Sequence, residues 1–442
     1  MILTKKIGIY PSHDQEKVLI ALSEKCRLIY NFALAERREW WDRNKDLPEE
    51  EREPRIKYTD QQDDLPAIKK EYPEYKWVYS KVLQMTVRKL DDAFKAYFAL
   101  NKAGCDDARP PRFKGRDYFT VLCYNQSGFR IDWQRKNISF SHKHPSKTDL
   151  TFDMPWFPDG IDEQTNVKQV EIVRDEVSKR FYACIQYERE PPEFVDNGLY
   201  QAVDLGISNI YTAVNMDGKF IQVPNRRADL YWKSKNEQVQ SKRDHCKKYS
   251  KKWHRYNHKL EKQKKKLSCQ MKDYQHKVSK KVVKNTKANT IIIGDLDVKK
   301  MGKKKKDCGN PRQNKANKTL NHSLQNTGSM GRFARFLTYK AERIGKRVTR
   351  IDESDTTKTC YNCGKKEKRK LSDRVINCDC GNVIGRDHNS AVNIMLRFLS
   401  HQPPVNGEPP KERFLRGLHR QTAPRVLEAV VDSMEAPPFM AG

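Results

Sequence analysis

The sequence predicts an α+β fold distributed over several domains. The chain has 442 residues, which is too long for one ordinary core, because a prior of roughly 150 residues per domain suggests about three domains. Segments that alternate in polarity, as strands do, are interleaved with longer segments of helical periodicity. Two close pairs of cysteines, between Cys360 and Cys380, add a pattern typical of a small metal-stabilised module.

The charge of the chain predicts a polyanionic partner. Lysine and arginine number 87 against 57 aspartates and glutamates, so the net charge is +30. A field of this strength attracts nucleic acid before any specific contact forms. A basic protein that is merely soluble, or one that binds an anionic membrane, is the weaker alternative, because the charge is clustered along the chain. Nucleic acid is therefore the expected partner, and no membrane partner is expected.

The sequence also lacks the patterns of membrane insertion and export. No window approaches 18 consecutive apolar residues, and Met1 to Pro11 lacks the long apolar core of a signal peptide. We therefore expect an intracellular protein, located in the cytoplasm or nucleoid of a prokaryote or in the nucleus of a eukaryote. Of the eleven cysteines, four lie between Cys360 and Cys380 and the others are scattered singly, which favours metal binding over disulfides.

The N-terminal part is predicted to hold one strand and two long helices. The opening ILTKKIGIY alternates like a strand, and Ser12 belongs to a start signal for a helical run from Gln15 to Trp41. A second amphipathic helix is predicted from Tyr79 to Leu100. Its apolar stripe, which we expect in the core, comprises Leu83, Val87, Leu90, Phe94 and Phe98.

The polar face of this second helix is a candidate DNA contact. It carries Lys81, Gln84 and Arg88, whose side chains are long enough to reach a DNA groove. An ordinary solvated face is an equal alternative, because charged runs on helices usually face water.

From Pro110 onward the pattern changes to short alternating segments, which predicts a β module. Two prolines at 191 and 192 indicate a boundary, and a new strand begins at Leu199. The stretch from Leu199 to Val223 is predicted to form three antiparallel strands in succession. An RNase H-like sheet begins in this way.

Residues 226–287 are strongly basic and carry interleaved aromatic residues, a pattern that predicts long helices in contact with phosphate. A solvated helical hairpin is the alternative. Beyond this region the pattern predicts a short buried strand at TIIIGDL, an amphipathic helix from Gly331 to Gly345 and a strand at RVTRIDE. The candidate contacts to the nucleic-acid backbone are Lys233, Lys235, Lys252 and Arg255.

The two cysteine pairs predict a zinc ribbon. Each pair is followed by a glycine that lets the backbone fold around a metal, and four thiolates suit one tetrahedral, structural zinc ion. The second pair is C-x-C, one residue shorter than the usual C-x-x-C, which leaves an iron centre or a site without metal as alternatives. The four expected ligands are Cys360, Cys363, Cys378 and Cys380.

Two aspartates are candidates for a second metal site, because hydrolysis of a phosphodiester by two divalent ions requires several carboxylates around one cavity. Asp204 ends a predicted strand, and Asp387 begins a helix whose apolar face would pack on the sheet. Turn capping and N-capping are the structural alternatives for these two residues. A third acid is ambiguous, since two strand ends offer Asp295, Asp352, Glu353 and Asp355.

The order of these motifs resembles the TnpB family of transposon-encoded RNA-guided nucleases, to which Fanzor proteins and compact type V CRISPR effectors are related. The resemblance covers most of residues 1–400. It is specific in the second half and loose in the first. The residues that carry it are VDLGISN, IIIGDL, FARFLTYKAERIGK, RIDE, the cysteine pairs and RDHNSAVNI, with YPSHDQ, CRLIYN and PPRFKGR in the N-terminal half.

The resemblance implies a RuvC active site that includes Asp204 and Asp387. Family members commonly have Glu-Asp-Leu where this chain has Gly294, Asp295 and Leu296, so the usual glutamate is absent. Some relatives carry a relocated glutamate just before the ribbon, where this chain has Glu353. Because parallel strands share an active edge, either position could present a carboxylate there. A surface glutamate at a strand end is the alternative.

The resemblance also implies cofactors and partners. Asp204, Glu353 and Asp387 would hold two Mg²⁺ ions for in-line hydrolysis of DNA, and the ribbon would hold one structural Zn²⁺. A guide RNA made from the element's own end would pair with one strand of a double-stranded DNA target while the protein reads a short flanking motif. The alternatives are a guided DNA-binding protein or repressor that no longer cuts, and an unguided RNase H-like transposase or resolvase.

The predicted fold is thus α+β and multidomain: an N-terminal β module with a helical insertion, then an RNase H-like (RuvC) nuclease domain with inserted basic helices and a zinc ribbon. The Pro-rich end of the chain is expected to be a flexible tail. The expected boundaries are 1–10 and 110–195 for a barrel-like wedge module, 11–109 for a helical recognition module, 196–356 and 383–400 for the nuclease domain, 357–382 for the ribbon and 401–442 for the tail.

Overall fold

The computed structural model describes residues 1–105, 107–125, 127–154, 161–295, 330–369, 373–404 and 407–420. The chain divides into two compact units, Met1–Glu190 and Pro191–Gly442. Both contain helices and strands, which confirms the α+β prediction. Within the described part of the chain, no helix combines the length and apolar character that a membrane span requires.

The first unit contains two antiparallel sheets. Its strands are β1 (Ile2–Ile9), β2 (Leu122–Asn125), β3 (Phe129–Asp132), β4 (Asn137–Phe140), β5 (Thr151–Asp153), β6 (Val167–Arg174) and β7 (Phe181–Glu188). One sheet has the order β1-β7-β6-β2 and the other the order β3-β4-β5. The N-terminal strand therefore pairs with a strand from the far end of the same unit, and the helices lie between them in sequence.

The helices of the first unit are α1 (His13–Asn44), α2 (Tyr58–Asp63), α3 (Leu65–Glu71) and α4 (Ser80–Lys102). The α1 helix begins at a capping box, in which Ser12 Oγ accepts from the Gln15 amide and the Gln15 side chain accepts from the Ser12 amide. The predicted long helices are confirmed. The predicted stripe is wrong at Phe98, which is 55% exposed, because the last turns of α4 extend beyond the core that buries Leu83 and Val87.

The second unit is built on a five-stranded mixed sheet. Its strands are β8 (Tyr200–Asp204), β9 (Asn209–Asn215), β10 (Phe220–Pro224), β11 (Thr290–Gly294) and β12 (Arg347–Ile351), followed by a separate hairpin of β13 (Val375–Asn377) and β14 (Val383–Gly385). The order is β10-β9-β8-β11-β12. The three antiparallel strands β8, β9 and β10 confirm the sequence prediction, and β11 runs parallel to both β8 and β12. The carboxyl ends of β8, β11 and β12 therefore lie at one edge.

Helices cover both faces of this sheet. They are α5 (Ala228–Asp244), α6 (Lys251–Asn285), α7 (Met330–Glu342), α8 (Arg386–Leu399) and α9 (Pro410–Arg420). Ile293 packs in the cluster that contains α7, whereas Ala202 and Ile292 pack in the cluster that contains α8. Because side chains alternate across a strand, Asp204 and Gly294 belong to the same face as Ala202 and Ile292. The face that carries α8 is thus the face on which the predicted active-site positions lie.

The prediction of a flexible tail is wrong for residues 410–420, which form α9. Phe414 and Leu418, one helical turn apart, are buried in the cluster that contains α8. The backbones approach closely here: a Cβ on Gly218 would lie 2.6 Å from the Leu418 Cα, and one on Gly417 would lie 2.9 Å from the Met216 carbonyl oxygen. The tail positions 421–442 lie outside the described residues.

Candidate active site and cysteine cluster

Asp204 is the last residue of β8, at the carboxyl edge of the sheet. Its Oδ1 accepts a hydrogen bond of 3.0 Å from the Ser390 hydroxyl on α8. Burial raises the pKa of Asp204 to about 7, and the negative charges of Asp387 and Glu353 add to the increase while Ser390 opposes it. Burial and the neighbouring negative charges therefore disfavour the ionised form of Asp204, and Ser390 and Arg386 only partly oppose this effect.

Asp387 is the second residue of α8, and its carboxylate lies near that of Asp204. Its Oδ2 accepts a hydrogen bond of 2.9 Å from the Asn209 side chain, which comes from the start of β9. The Arg386 Nε lies 3.7 Å from the Asp387 Oδ1. The N-cap position of α8 is occupied by Gly385, so N-capping does not account for Asp387.

Glu353 lies two residues beyond β12, and its side chain reaches across to β11. A Cβ added to Gly294 would lie 2.0 Å from the Glu353 Oε2 and 2.9 Å from its Cβ and Cδ. The carboxyl group of Glu353 therefore occupies the space that a side chain at position 294 would need. Burial raises the pKa of Glu353 to about 7, with further contributions from Asp295 and Asp352.

The other acids at these strand ends are more exposed or paired with cations. Asp295 is 60% exposed at its side chain and lies 3.1 Å from Arg350 Nη1. Asp352 is hydrogen-bonded to Ser354 and lies near Arg397, and Asp355 pairs with two lysines, Lys358 and Lys366. Of the four candidates that the sequence offered, Glu353 is the one whose carboxyl group lies over Gly294.

The donor set of these three residues suits Mg²⁺, which prefers carboxylate oxygens. Among the described residues, the carboxylate oxygens of these three acids do not all lie within 4.8 Å of one another. Two ions separated by about 3.5–4 Å have ligands that are spread more widely than those of a single ion. Burial, and secondarily neighbouring carboxylates, raise the pKa values of Asp204 and Glu353, and a divalent cation would favour their ionised forms.

The cysteine cluster is compact. The sulfur atoms of its four cysteines all lie within 4.8 Å of one another. Two contacts join the pairs, 3.8 Å between Cys360 and Cys380 and 3.5 Å between Cys363 and Cys378. The shortened C-x-C pair therefore still converges with the C-x-x-C pair. Four soft sulfur ligands at this spacing fit one tetrahedral zinc ion.

The candidate DNA contacts on α4 are accessible to different extents. Lys81 and Arg88 are exposed and Gln84 is half-buried. Arg88 also lines a polar cavity of about 520 Å³ together with Lys89 and Lys168. These positions are compatible with a nucleic-acid contact, and their role stays a prediction.

The candidate backbone contacts on α5 and α6 are all exposed: Lys233, Lys235, Lys252 and Arg255. The Lys235 Nζ lies 4.1 Å from the ring centre of Tyr231, which is itself exposed. Exposed cations beside aromatic rings suit the phosphates and bases of a nucleic acid, although this role is also still a prediction.

Sequence reasoning did not find the residues that orient the carboxylates. Asn209 donates to Asp387, Ser390 donates to Asp204, and Thr356 contacts Ser390. One signal was available for Ser390, which lies three residues after Asp387 and thus on the same helical face. Asn209 and Thr356 carried no such local signal, because their partners are brought close only by the tertiary fold.

Comparisons with protein families first define the class of the chain. A model described as "Cas12f1-like, TNB domain" matches residues 331–394, which span α7, β12, the four cysteines and Asp387. The OrfB_IS605 model, described as "Probable transposase", matches residues 183–305. A related helix-turn-helix model, HTH_OrfB_IS605, matches residues 1–46, which form β1 and α1 in this structure. The class is that of transposon-associated proteins related to compact CRISPR effectors.

Individual relatives narrow the class to a family. A "Putative RNA-guided DNA endonuclease" of Streptomyces pristinaespiralis is 25% identical over 401 residues, which cover 89% of each chain. The "TnpB-like protein L79" of Acanthamoeba polyphaga mimivirus is 35% identical over 150 residues, covering 33% of this chain and 26% of the relative. Together with the matching family models, these relatives support a protein of the TnpB family, to whose members the chain is similar.

A solved structure shares the fold. The Cas12f1 chain in a complex with sgRNA and target DNA aligns with a TM-score of 0.57 and 12% identity, covering 89% of this chain and 98% of that chain. At this level of identity the similarity concerns the fold.

Proposed function

We propose that the chain is an RNA-guided DNA endonuclease with a RuvC-type active site formed by Asp204, Glu353 and Asp387. The observation that carries the proposal is the position of Glu353, whose carboxyl group fills the space over Gly294 beside two further acids at the edge of a mixed sheet. The strand order, with three antiparallel strands followed by two parallel strands, supports the proposal of an RNase H-like sheet.

The protein's part in the proposed reaction is to hold and orient carboxylates. Ser390 fixes one oxygen of Asp204 and Asn209 fixes one oxygen of Asp387, and these hydrogen bonds orient both carboxylates for the proposed cation binding. Two Mg²⁺ ions at such a site supply Lewis-acid chemistry for in-line hydrolysis of a phosphodiester. The one structural Zn²⁺ ion is assigned to the four cysteines.

The proposed partners are a guide RNA and a double-stranded DNA target, encountered inside the cell. The names of two relatives that cover most of the chain, in Streptomyces pristinaespiralis and Escherichia coli K12, describe RNA-guided DNA endonucleases. The net charge of +30 and the exposed cations of α5 and α6 supply the attraction for both nucleic acids. Base pairing would select the target, and the protein would read a short flanking motif.

A guided DNA-binding protein that has lost cleavage is the second candidate, since Gly294 contributes no carboxylate. The position of Glu353 argues against it, because the lost side chain is replaced in space by another acid. An unguided transposase is the third candidate, supported by the description of one family model.

One experiment separates the three candidates. The protein is purified with the RNA that accompanies it, that RNA is sequenced, and its guide segment is then reprogrammed. The complex is incubated with Mg²⁺ and a DNA library that carries the matching target next to randomised flanking sequence. We expect cuts only in molecules with the matching target and one flanking motif. Binding without cuts would favour the guided binder, and cuts without RNA would favour the transposase.

A further inference from the structure

Four polar residues, three of them buried and one half-buried, lie between the carboxylate site and the cysteine cluster. They are Thr356, Asn389, Ser390 and Asn393, and we call them the polar bridge. Asn389 and Ser390 are fully buried, and Thr356 is 3% exposed. A buried polar group lowers stability unless it is hydrogen-bonded, so a group of this kind is informative about what it connects.

On one side, the polar bridge holds the proposed metal ligands. The Ser390 hydroxyl donates to Asp204 Oδ1 at 3.0 Å. The Thr356 hydroxyl lies 3.0 Å from the Ser390 hydroxyl and 2.9 Å from the backbone carbonyl of Glu353. Since Thr356 has one hydroxyl proton, it shares that proton between Ser390 and Glu353. The Thr356 side chain therefore contacts both the residue that orients Asp204 and the backbone of Glu353.

On the other side, the polar bridge holds the start of the cysteine cluster. The Asn389 side chain donates to the carbonyls of Thr356 at 3.0 Å and Thr359 at 2.8 Å, and accepts from the amide of Tyr361 at 3.1 Å. The Asn393 side chain, one turn further along α8, donates to the same two carbonyls at 2.8 and 2.7 Å. Thr359 and Tyr361 flank Cys360, so these bonds set the position at which the cluster begins.

Thr356 is the residue common to both sides. Its carbonyl, like that of Thr359 beside the first cysteine, accepts hydrogen bonds from α8. Its hydroxyl contacts Ser390, which orients Asp204, and the backbone carbonyl of Glu353. The segment from Glu353 to Cys360 contains one buried side chain before the cysteine, and that side chain is Thr356. A displacement of the cluster would therefore be transmitted to Thr356, the buried residue of this segment.

We propose that the folded zinc ribbon positions the catalytic carboxylates through the polar bridge, with Thr356 and Ser390 acting as positioning residues. This inference rests on the proposed function, because it assigns the carboxylates to cation binding. Residues that orient metal ligands typically affect metal affinity or activity by about 10- to 100-fold. Zinc in the ribbon would in this way control cation binding at a second site.

The first test compares Thr356→Val with Thr356→Ser and with Thr357→Val, a matched control at a neighbouring threonine whose side chain has no hydrogen bond among the described residues. Zinc content and Mn²⁺ affinity of the full-length protein are measured by metal analysis and calorimetry. Mn²⁺ prefers oxygen ligands and therefore reports on the carboxylates. We expect Thr356→Val to keep its zinc and to bind Mn²⁺ about tenfold more weakly. Thr356→Ser, which keeps the hydroxyl, and Thr357→Val should match the parent.

Two results would overturn the inference: parental Mn²⁺ affinity in Thr356→Val, or loss of zinc from that variant, which would reduce Thr356 to a residue that only folds the ribbon.

The second test compares the effect of zinc removal on Mn²⁺ affinity in the parent and in Thr356→Val. In the parent, zinc removal should weaken Mn²⁺ binding. In Thr356→Val it should add little, because the connection is already broken and effects within one network are not additive. Additive losses would contradict the inference. If the parent shows this coupling but never cuts a matched DNA target, the proposed endonuclease function fails, whereas the structural coupling stands.

Discussion

The carboxylate site and the cysteine cluster lie in the same unit but are assembled in opposite ways. The acids come from β8, from the segment after β12 and from α8, and they approach one another because the sheet and helix bring them together. The cysteines all lie within the span Cys360–Cys380 and approach one another because that span folds back on itself. The tertiary fold brings the carboxylates together, whereas metal binding by the cysteines is expected to fold the ribbon locally.

The energetics of the two sites differ accordingly. The carboxylate site disfavours the ionised forms of its acids, because burial raises the pKa values of Asp204 and Glu353. The cluster has little apolar core of its own, with Ile376 and Ile384 as its buried aliphatic side chains among the described residues. Removal of metal from the carboxylate site should therefore abolish the proposed activity, whereas removal of metal from the cysteine cluster should unfold the ribbon.

The largest effect is expected from removal of an acid at the carboxylate site. Asp204→Ala and Asp387→Ala should each lower guided DNA cleavage by more than about a hundredfold, since even outer partners of a metal site contribute roughly 10- to 100-fold. DNA binding should be retained, because a negatively charged carboxylate does not attract the phosphates of DNA. Cleavage assays and binding assays on the same complex measure both quantities. Parental cleavage by either variant would contradict the assignment.

The second prediction concerns the third acid. Glu353→Gln should also abolish cleavage while guide and target binding are retained, whereas Asp295→Asn should change the rate by only a small factor, because Asp295 is exposed beside Arg350. Cleavage rates at saturating Mg²⁺ compare the two. A dead Asp295→Asn variant with an active Glu353→Gln variant would reverse the assignment.

A related variant tests the space over Gly294. Gly294→Glu should be destabilised by about 1–3 kcal/mol, because its side chain would overlap Glu353. The exchange Gly294→Glu with Glu353→Gly should relieve that overlap, and chemical denaturation measures the difference. Equal stability of Gly294→Glu and the parent would show that Glu353 moves aside easily.

The difference in assembly also explains which site could be predicted from sequence. The spacing of Cys360, Cys363, Cys378 and Cys380 is local, so it predicted their convergence directly. For the acids, the residues alone left Asp295, Asp352, Glu353 and Asp355 open and only the family resemblance implied Glu353, because the position of its side chain over Gly294 depends on the tertiary fold. The helix α9 was missed because prolines near 403 and 409 outweighed the i, i+4 spacing of Phe414 and Leu418.

The third prediction concerns the cysteine cluster. Cys360→Ser should lower the zinc content and unfold the ribbon locally, and it should lower cleavage less than loss of Asp204 does, since the acids themselves are untouched. Metal analysis, protease sensitivity within residues 357–382 and cleavage rates measure the three effects. Zinc-free parent protein that keeps full activity and protease resistance would show that the ribbon folds without metal.

The last and smallest effect is a difference in pH dependence between the two sites. Asp204 and Glu353 have ordinary pKa values of 3.8 and 4.5, and the fold raises both to about 7. Between these values the folded protein binds more protons than the unfolded chain, so the metal-free site loses stability as pH rises through this range and changes little above it. The cysteine cluster behaves in the opposite sense, because zinc binds thiolates and is released as pH falls.

Thermal unfolding of the zinc-loaded full chain without added Mg²⁺ should therefore show a lower midpoint at about pH 7.5 than at about pH 5.5, provided that zinc is retained at both. The decrease should be a few degrees, because 1 kcal/mol corresponds to about 2–4 °C for a unit of this size. Asp204→Asn should reduce the decrease, since an amide does not ionise. Mg²⁺ should raise the midpoint at the higher pH more than at the lower, because only ionised carboxylates bind it. If the midpoint of Asp204→Asn falls between the two pH values by as much as that of the parent, the buried acids do not set the pH dependence. Burial would then affect the ionisation of Asp204 no more than exposure to solvent does.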